Sequence, residues 1–446
     1  MSENRRVFLK KAVAGSVGLT VGNKITALNA GAYKSISGAG DTIHVAIIGC
    51  NSRGESMAGT FARQKGAEVT YICDVDDVAM AKGIKAAKNV TGKEPKGVKD
   101  FRKILEDKDL DAVYIATPDH WHAPASILCL KAGKHVYVEK PISHNPKEGE
   151  MLVMAAAKYN KIVQIGTQRR SWPTLTEGIN ELKNGIIGKA YMAKAWYANT
   201  RGPIGIGKLA PVPSNLDYEL WQGPAPRRPY KDNLIHYNWH WFWNWGTGEA
   251  LNNGTHDIDV ARWGLGLEYP SKVSSAGGRY QFKDDWETPD TQIITYQAPG
   301  ATILWEGRSC NGSNVDNRSR GVIFHGENGS LHTGDNSYVV YDNKNKIVKE
   351  VKSEIVVTDG INTTSPGEEL DAVHVVSFLD CIRNNKKPFA DALTGHKSTL
   401  WMQLGNIAQR TGRTLNIDQS NGHIVGDNDA MRYWTREYEK GWEPIV

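Results

Sequence analysis

The sequence predicts an α/β chain in two parts: a doubly wound parallel sheet first, then a larger α+β part with a mostly antiparallel open sheet. Three observations carry this. Short β-branched runs alternate with helical stretches between Ile43 and Ile165. A glycine turn at Gly49 follows the first run directly. Beyond about Arg170, strand-like runs separated by Gly, Asn or Asp turns take over. A length of 446 residues, with 40% hydrophobic and 23% charged content, suits two soluble domains.

Ile43 to Ile48 reads as a buried strand, Gly49-Cys50-Asn51-Ser52-Arg53-Gly54 as a turn, Glu55 to Gln64 as a helix, and Glu68 to Cys73 as a second strand closed by Asp74. This is a βαβ unit with the G-x-G-x-x-G fingerprint, in which Asn51 replaces the middle glycine. Gly49 permits the tight turn and Gly54 the close helix–strand packing. The helix start, with Ser52 and Arg53, offers N–H groups to a pyrophosphate. Asp74 stands where an acid binds a ribose 2′-hydroxyl, which favours NAD over NADP. The first part is therefore a Rossmann domain.

Alternation continues through a helix at Phe101–Glu106, a strand at Ala112–Ala116 and a helix at Pro124–Ala132. A strand at His135–Val138, a helix at Pro146–Lys158 and a strand at Ile162–Ile165 follow. The strand ends carry Thr117, Pro118, His120, His122, Glu139, Lys140 and Gln168. These are candidate cofactor contacts, because ligands bind at the carboxyl edge of such a sheet.

In the second part, strands are expected at Ala190–Tyr197, Lys272–Ala276, Thr291–Tyr296, Thr302–Glu306, Arg320–His325 and Tyr338–Tyr341. Helices return at about Glu368–Arg383 and Thr399–Arg410. The chain holds 14 tryptophans against 8 phenylalanines. Trp239, Trp241, Trp243 and Trp245 alternate just before a histidine motif; one or two are expected to touch substrate and the rest to pack.

At Glu139-Lys140-Pro141 the chain resembles the glucose–fructose oxidoreductase / inositol dehydrogenase family, written Gfo/Idh/MocA. The resemblance extends to Thr117-Pro118-Asp119-His120-Trp121-His122 and to the stretch from Gly246 to Asp259. Leu216-Asp217-Tyr218-Glu219-Leu220-Trp221-Gln222-Gly223-Pro224 and Gly412-Arg413-Thr414-Leu415 look like its secreted bacterial branch. It implies a Lys140 that bridges the nicotinamide ribose and a substrate hydroxyl. It also implies a homodimer or homotetramer whose sheet packs one face on another subunit.

Sugar oxidation needs a base for the hydroxyl proton and a hydride acceptor against its carbon. Lys140 and His256 are the catalytic candidates. Asn252 and His256 stand at i, i+4, and Asp259 at i+3 is expected to orient the ring. Many relatives carry aspartate at Asn252, and Glu249 is a nearby acid able to compensate. Arg169, Tyr237 and Trp239 join Asn252, Asp259 and Glu249 as substrate-contact candidates, with Arg170 beside them. The function expected is NAD-dependent oxidation at a CH–OH group of a sugar. The alternatives are redox-neutral, NAD-assisted glycoside cleavage and non-catalytic sugar binding.

The N-terminus reads as an address. Asn4-Arg5-Arg6-Val7-Phe8-Leu9-Lys10-Lys11, an apolar run from Ala12 to Val21, and small residues at Ala27 and Ala30 resemble the bacterial twin-arginine export signal. The expected divisions are a signal at 1–30, an arm at 31–42, the Rossmann domain at 43–168 and the second domain at 169–446. A periplasmic enzyme meets no cytoplasmic NAD pool, so its cofactor is expected to be tightly held. The formal charge of +5 includes five basic residues and one acid in residues 1–30; the remainder carries 49 basic and 48 acidic residues. That balance leaves no basic block for nucleic acid. No later run approaches membrane-spanning length. Five scattered cysteines without CxxC spacing speak against a metal cluster or disulfide framework, and Cys50, Cys73 and Cys129 read as buried thiols.

Overall fold

The computed structural model describes residues 42–446 apart from 335 and 354–367. The export signal and nearly all of the arm lie outside the described residues.

The first sheet contains β1 (Ile43–Ile48), β2 (Ala67–Cys73), β3 (Lys96–Val98), β4 (Ala112–Ile115), β5 (His135–Val138) and β6 (Val163–Ile165). Their order is β3-β2-β1-β4-β5-β6, and every pair is parallel. Both faces of the central strands are covered, which is why β4 and β5 read as nearly continuous apolar runs. Val45 and Ile47 face a core shared with α1 (Arg53–Ala62); Ala46 and Ile48 face one shared with α3 (Asp119–Lys131) and α4 (Pro146–Tyr159). Helix α2 (Asp77–Thr91) is capped by Asp76, which accepts from the Val78 and Ala79 N–H groups. The strand order reverses between β1 and β4, so a crevice opens at their carboxyl ends.

The helix expected at Pro124 begins earlier, at Asp119. Pro124 lacks an N–H, which frees the His120 carbonyl, and Arg436 Nη2 donates to that oxygen at 2.7 Å. The stretch expected as a helix from Phe101 is a short 3₁₀ turn, Phe101–Ile104.

After α5 (Pro173–Lys183) comes β7 (Ala190–Ala198), then α6 (Tyr218–Gln222), α7 (Gly248–Asn252) and α8 (Gly254–Leu265). Strands β8 (Lys272–Gly278), β9 (Thr291–Ala298), β10 (Ala301–Arg308), β11 (Arg320–Gly326), β12 (Gly329–Thr333), β13 (Ser337–Asp342) and β14 (Ile347–Lys352) follow. Helices α9 (Glu368–Arg383) and α10 (Ala392–Thr411) precede β15 (Leu415–Ile417) and β16 (Ile424–Val425). The second sheet has ten strands, in the order β14-β13-β12-β11-β7-β10-β9-β8-β15-β16. It is antiparallel except for β7 against β10. Every strand expected from sequence is present; β3, β12, β14, β15 and β16 are additional.

One face packs Ala193, Ala195, Ile303, Trp305, Val322 and Phe324 against α5, α8 and α10. The opposite face carries Lys194, Leu304, Glu306, Ile293 and Thr295, half-buried or exposed. Helix α9 returns to the first sheet, where Val375, Phe378 and Leu379 join the core of Val45 and Ile47. Cys50, Cys73 and Cys129 are buried thiols. No helix among the described residues is long and apolar enough to cross a membrane.

Candidate active site

A single cleft runs from the glycine loop, across the ends of β4 and β5, to the helices before β8. At one end the backbone makes the site. Gly49 has φ +85°, and a Cβ there would stand 2.6 Å from the Ala116 carbonyl oxygen. A Cβ on Gly54 would stand 1.7 Å from the Gly49 oxygen. Both glycines are thus required by close backbone approach. Asn51, Ser52 and Arg53 line the cleft, and Ser52 makes no side-chain cap to α1. The helix's first N–H groups are therefore open to an anion. Asn51 Oδ1 accepts from Lys82 Nζ at 3.0 Å. The Asp74 carboxylate accepts from the Cys50 N–H at 2.5 Å and the Asp76 N–H at 2.9 Å, and burial pushes its pKa up. Thr117 Oγ1 is buried without a partner, and Pro118 lines the cleft beside it. A bare helix start, an acid at the second strand end and an unpartnered buried hydroxyl fit a dinucleotide.

Beneath this loop lies an ion network. Arg53 donates to Glu139 at 2.9 Å and forks onto Asp371 of α9 at 2.7 and 2.9 Å. Glu139 also accepts from Tyr114 at 2.9 Å and Gln168 at 3.3 Å. Burial opposes ionisation of Glu139, but the Arg53 guanidinium beside it holds the carboxyl below the usual range. These charges fasten α1, β5 and α9 together beside the cleft.

His120 and His122, two residues apart on α3, diverge. His120 does not line the cleft. Its Nε2 meets the Trp221 carbonyl at 3.0 Å, and burial lowers its pKa to about 3. It packs between the domains and is not a cofactor contact. His122 lines the cleft, with Nδ1 2.6 Å from the Pro141 oxygen and Nε2 2.8 Å from the Thr117 oxygen.

At the other end, side chains make the site. Lys140 leaves the end of β5, and its Nζ donates to the Asn252 carbonyl at 2.5 Å and to Asn252 Oδ1 at 3.3 Å. Burial pushes its pKa down, against the pull of Glu139. Asn252 and His256 do not share one helix: α7 ends at Asn252, α8 begins at Gly254, and Asn253 joins them. Both still line the cleft. His256 Nδ1 is buried without a partner. Burial, then the charges of Lys140, Arg320 and Arg169, hold its ring neutral, well below the usual histidine range.

Two acids take roles other than those expected. Asp259 does not orient His256; it is buried in a fork with Arg170 at 2.8–3.0 Å and accepts from Ser398 at 2.5 Å. The buried Arg170 guanidinium and the Ser398 hydroxyl of α10 draw its carboxylate away from the ring. Glu249 is buried off the cleft, where Arg201 Nε donates to it at 2.6 Å. Its charge is met there, and its contacts with Asn252 at 3.3 Å and Asn253 at 2.6 Å position those amides.

Arg169, Tyr237 and Trp239 all line the cleft. Tyr237 has φ +80°, a strained value for a side chain of this size. Trp239 stacks on His240 at 3.6 Å. Trp241 and Trp245 are buried, so the aromatic run divides between cleft and packing. His240, His236 and Arg320 also line the cleft and were missed in the sequence. His240 holds the Tyr237 carbonyl through Nδ1 at 2.6 Å, beside Lys140. No helical or strand period marks it, because a 3₁₀ turn, Asn238–Trp241, brings it in. Arg320, on β11, reaches Asp257 at 3.0 Å.

The matched families agree with this geometry. The Gfo/Idh/MocA oxidoreductase family's NAD-binding Rossmann fold matches residues 43–167, and its C-terminal α/β domain matches residues 193–443. A glycosyl hydrolase family 109 protein of Saccharopolyspora erythraea is 34% identical over 152 residues, 31% of this chain and 33% of that protein. An α-N-acetylgalactosaminidase of Shewanella oneidensis is 29% identical over 213 residues, 44% of this chain and 46% of that enzyme. The chain thus spans less than half the length of these curated relatives. An aldose–aldose oxidoreductase from Caulobacter crescentus superposes with TM-score 0.64 at 16% identity, over 84% of this chain and all of that one, a likeness of fold. With both domains matched in order across most of its length, the chain belongs to the Gfo/Idh/MocA oxidoreductase family.

Proposed function

We propose that the protein is an NAD-dependent oxidoreductase acting at a CH–OH group of a sugar or sugar derivative. The observation that carries this reading is convergence: Lys140, Asn252 and His256 meet in the same cleft as the glycine loop. When bound, NAD+ supplies the hydride acceptor. Lys140, its neutral form favoured by burial, takes the hydroxyl proton. Asn252 holds the Lys140 amine in place through two oxygens. His256, neutral with Nδ1 unpartnered, hydrogen-bonds the sugar. Trp239 offers an apolar ring face to it.

A second reading is redox-neutral glycoside cleavage, favoured by the family 109 relatives. Oxidation at a ring hydroxyl acidifies the neighbouring C–H, the aglycone leaves by elimination, water adds, and the sugar is reduced back. One assay separates the two. The purified protein, shown by denaturation and mass spectrometry to carry NAD(H), is given free sugars and nitrophenyl glycosides. Net NADH from a free sugar supports the first reading. Nitrophenol with no net NADH supports the second. Neither product from any of them, with Lys140→Ala binding sugar as wild type does, would leave a non-catalytic sugar binder.

The protein is further proposed to be exported by the twin-arginine route and to pair through the open face of its second sheet. Arg5→Lys with Arg6→Lys then keeps it in the cytoplasm. Leu304→Asp turns a dimer into a monomer in light scattering; unchanged export or mass would overturn these readings.

A further inference from the structure

Between β7 and α8 the chain leaves the second domain and crosses to the first. There Leu216 pairs with Asp76 in an antiparallel bridge. The Asp77 N–H donates to the Asn215 oxygen at 3.0 Å, and the Asp217 N–H to the Val75 oxygen at 2.9 Å. Asp76 is held twice more: Asn215 Nδ2 donates to Oδ1 at 2.8 Å, and His236 Nε2 stands 2.8 Å from Oδ2. The crossing segment has its own small core of Leu216, Tyr218, Trp221, Leu234, Phe242 and Trp245. The Trp221 carbonyl is met by His120 Nε2 and Trp121 Nε1, both at 3.0 Å. Leu220, Trp221 and His236 of this segment line the cleft together with Asp74 and Val75.

The segment therefore grips residues 75–77, directly after the acid Asp74 expected to bind the ribose, and walls the cleft beside it. We propose that residues 215–236 form a clamp over the adenosine half of the cofactor, closed by His236 and Asn215 on Asp76. This rests on the reading of the cleft as an NAD site. NAD(H) then leaves only when the clamp opens, so the cofactor stays through many turnovers and each redox cycle closes on the enzyme. Asp76 is the positioning residue and His236 the cleft-facing contact.

The test measures release, not activity. Full-length protein is freed of nucleotide, reloaded with NADH and chased with excess NAD+, and the bound NADH fluorescence is followed. His236→Ala and Asn215→Ala are compared with wild type. Asp76→Asn is a third variant, since it keeps an acceptor for the start of α2 while removing the charge that holds His236. Loss of a hydrogen bond to a carboxylate predicts release about ten- to hundredfold faster. The melting temperature of each NAD-free variant checks its fold. Equal release from wild type and folded variants overturns the clamp alone. Failure of wild-type protein to take up NADH overturns the NAD reading together with it.

Discussion

At the cofactor end of the cleft, consecutive residues of one strand–turn–helix unit make the site through their backbone. At the substrate end, Lys140, Arg169, His240, His256 and Arg320 arrive from separate segments, and buried ion pairs hold those segments together. A backbone site tolerates almost no change of shape but many changes of side chain. A side-chain site behaves in the opposite way, and its weak points lie behind the residues that face substrate.

Gly54→Ala tests the backbone end and carries the largest expected effect. An added Cβ would meet the Gly49 oxygen at 1.7 Å, so strand and helix must separate. Purified protein is expected to hold no NAD(H) by mass spectrometry. Normal cofactor content would show that the loop yields easily, and the comparison would fail. Lys140→Ala comes next, at the other end. Loss of a positioned proton acceptor predicts about a thousandfold fall in kcat. NADH affinity, read by fluorescence titration, should change little. A fall confined to KM would reduce Lys140 to a binding group.

How readily each end was legible follows from the same contrast. Gly49, Gly54 and Asp74 are fixed by local geometry, so spacing alone places them. The ion network was not legible: Arg53 reads as a helix-start residue, yet its guanidinium spans to Asp371 on α9. His120 and His122 look equivalent in a row, but helix α3 begins at Asp119 and sends them to different surroundings. Asn252 and His256 were identified for the right cleft through the wrong geometry, one helix rather than two. His240 lay hidden in an aromatic run whose 3₁₀ turn has no apolar period.

Asp259→Ala sharpens the point about what stands behind the substrate end. The sequence assigns Asp259 to His256; the structure gives it to Arg170. Removing one partner of a buried pair leaves the other charge uncompensated, at a cost of about 3 kcal/mol. A large fall in melting temperature is expected, with the pH dependence of kcat in the surviving enzyme unaltered. A shifted pH profile at unchanged stability would restore the role read from sequence.

Acid should weaken the join between the ends before neutral chemistry changes. His120 sits between Trp221 and the first domain with its folded pKa lowered to about 3, against an ordinary value near 6.5. Its folded pKa lies below its unfolded one, so the unfolded chain binds the proton more readily. The stability contributed by neutral His120 is full above pH ~6.5 and is lost progressively as pH falls toward about 3. His374 and His396, both lowered to about 4 by burial, act in the same direction. Melting temperature should drop by several degrees between pH 7.5 and 5, and His120→Gln should flatten that slope. An unchanged slope would remove His120 from the set.

The smallest effect belongs to Trp239. It lines the substrate end, and its ring lies 3.6 Å from that of His240 with an angle of 19° between planes. A ring already stacked on one side has one face left, and a sugar is its natural partner there. Stacking of this kind is worth about 0.5–1.5 kcal/mol. Trp239→Ala should therefore raise KM by up to about tenfold, with kcat nearly unchanged, because the contact is made equally in the ground and transition states. Trp239→Phe keeps an aromatic face and should recover most of the loss. If kcat falls instead, Trp239 is acting through His240, and the aromatic turn belongs to the catalytic machinery.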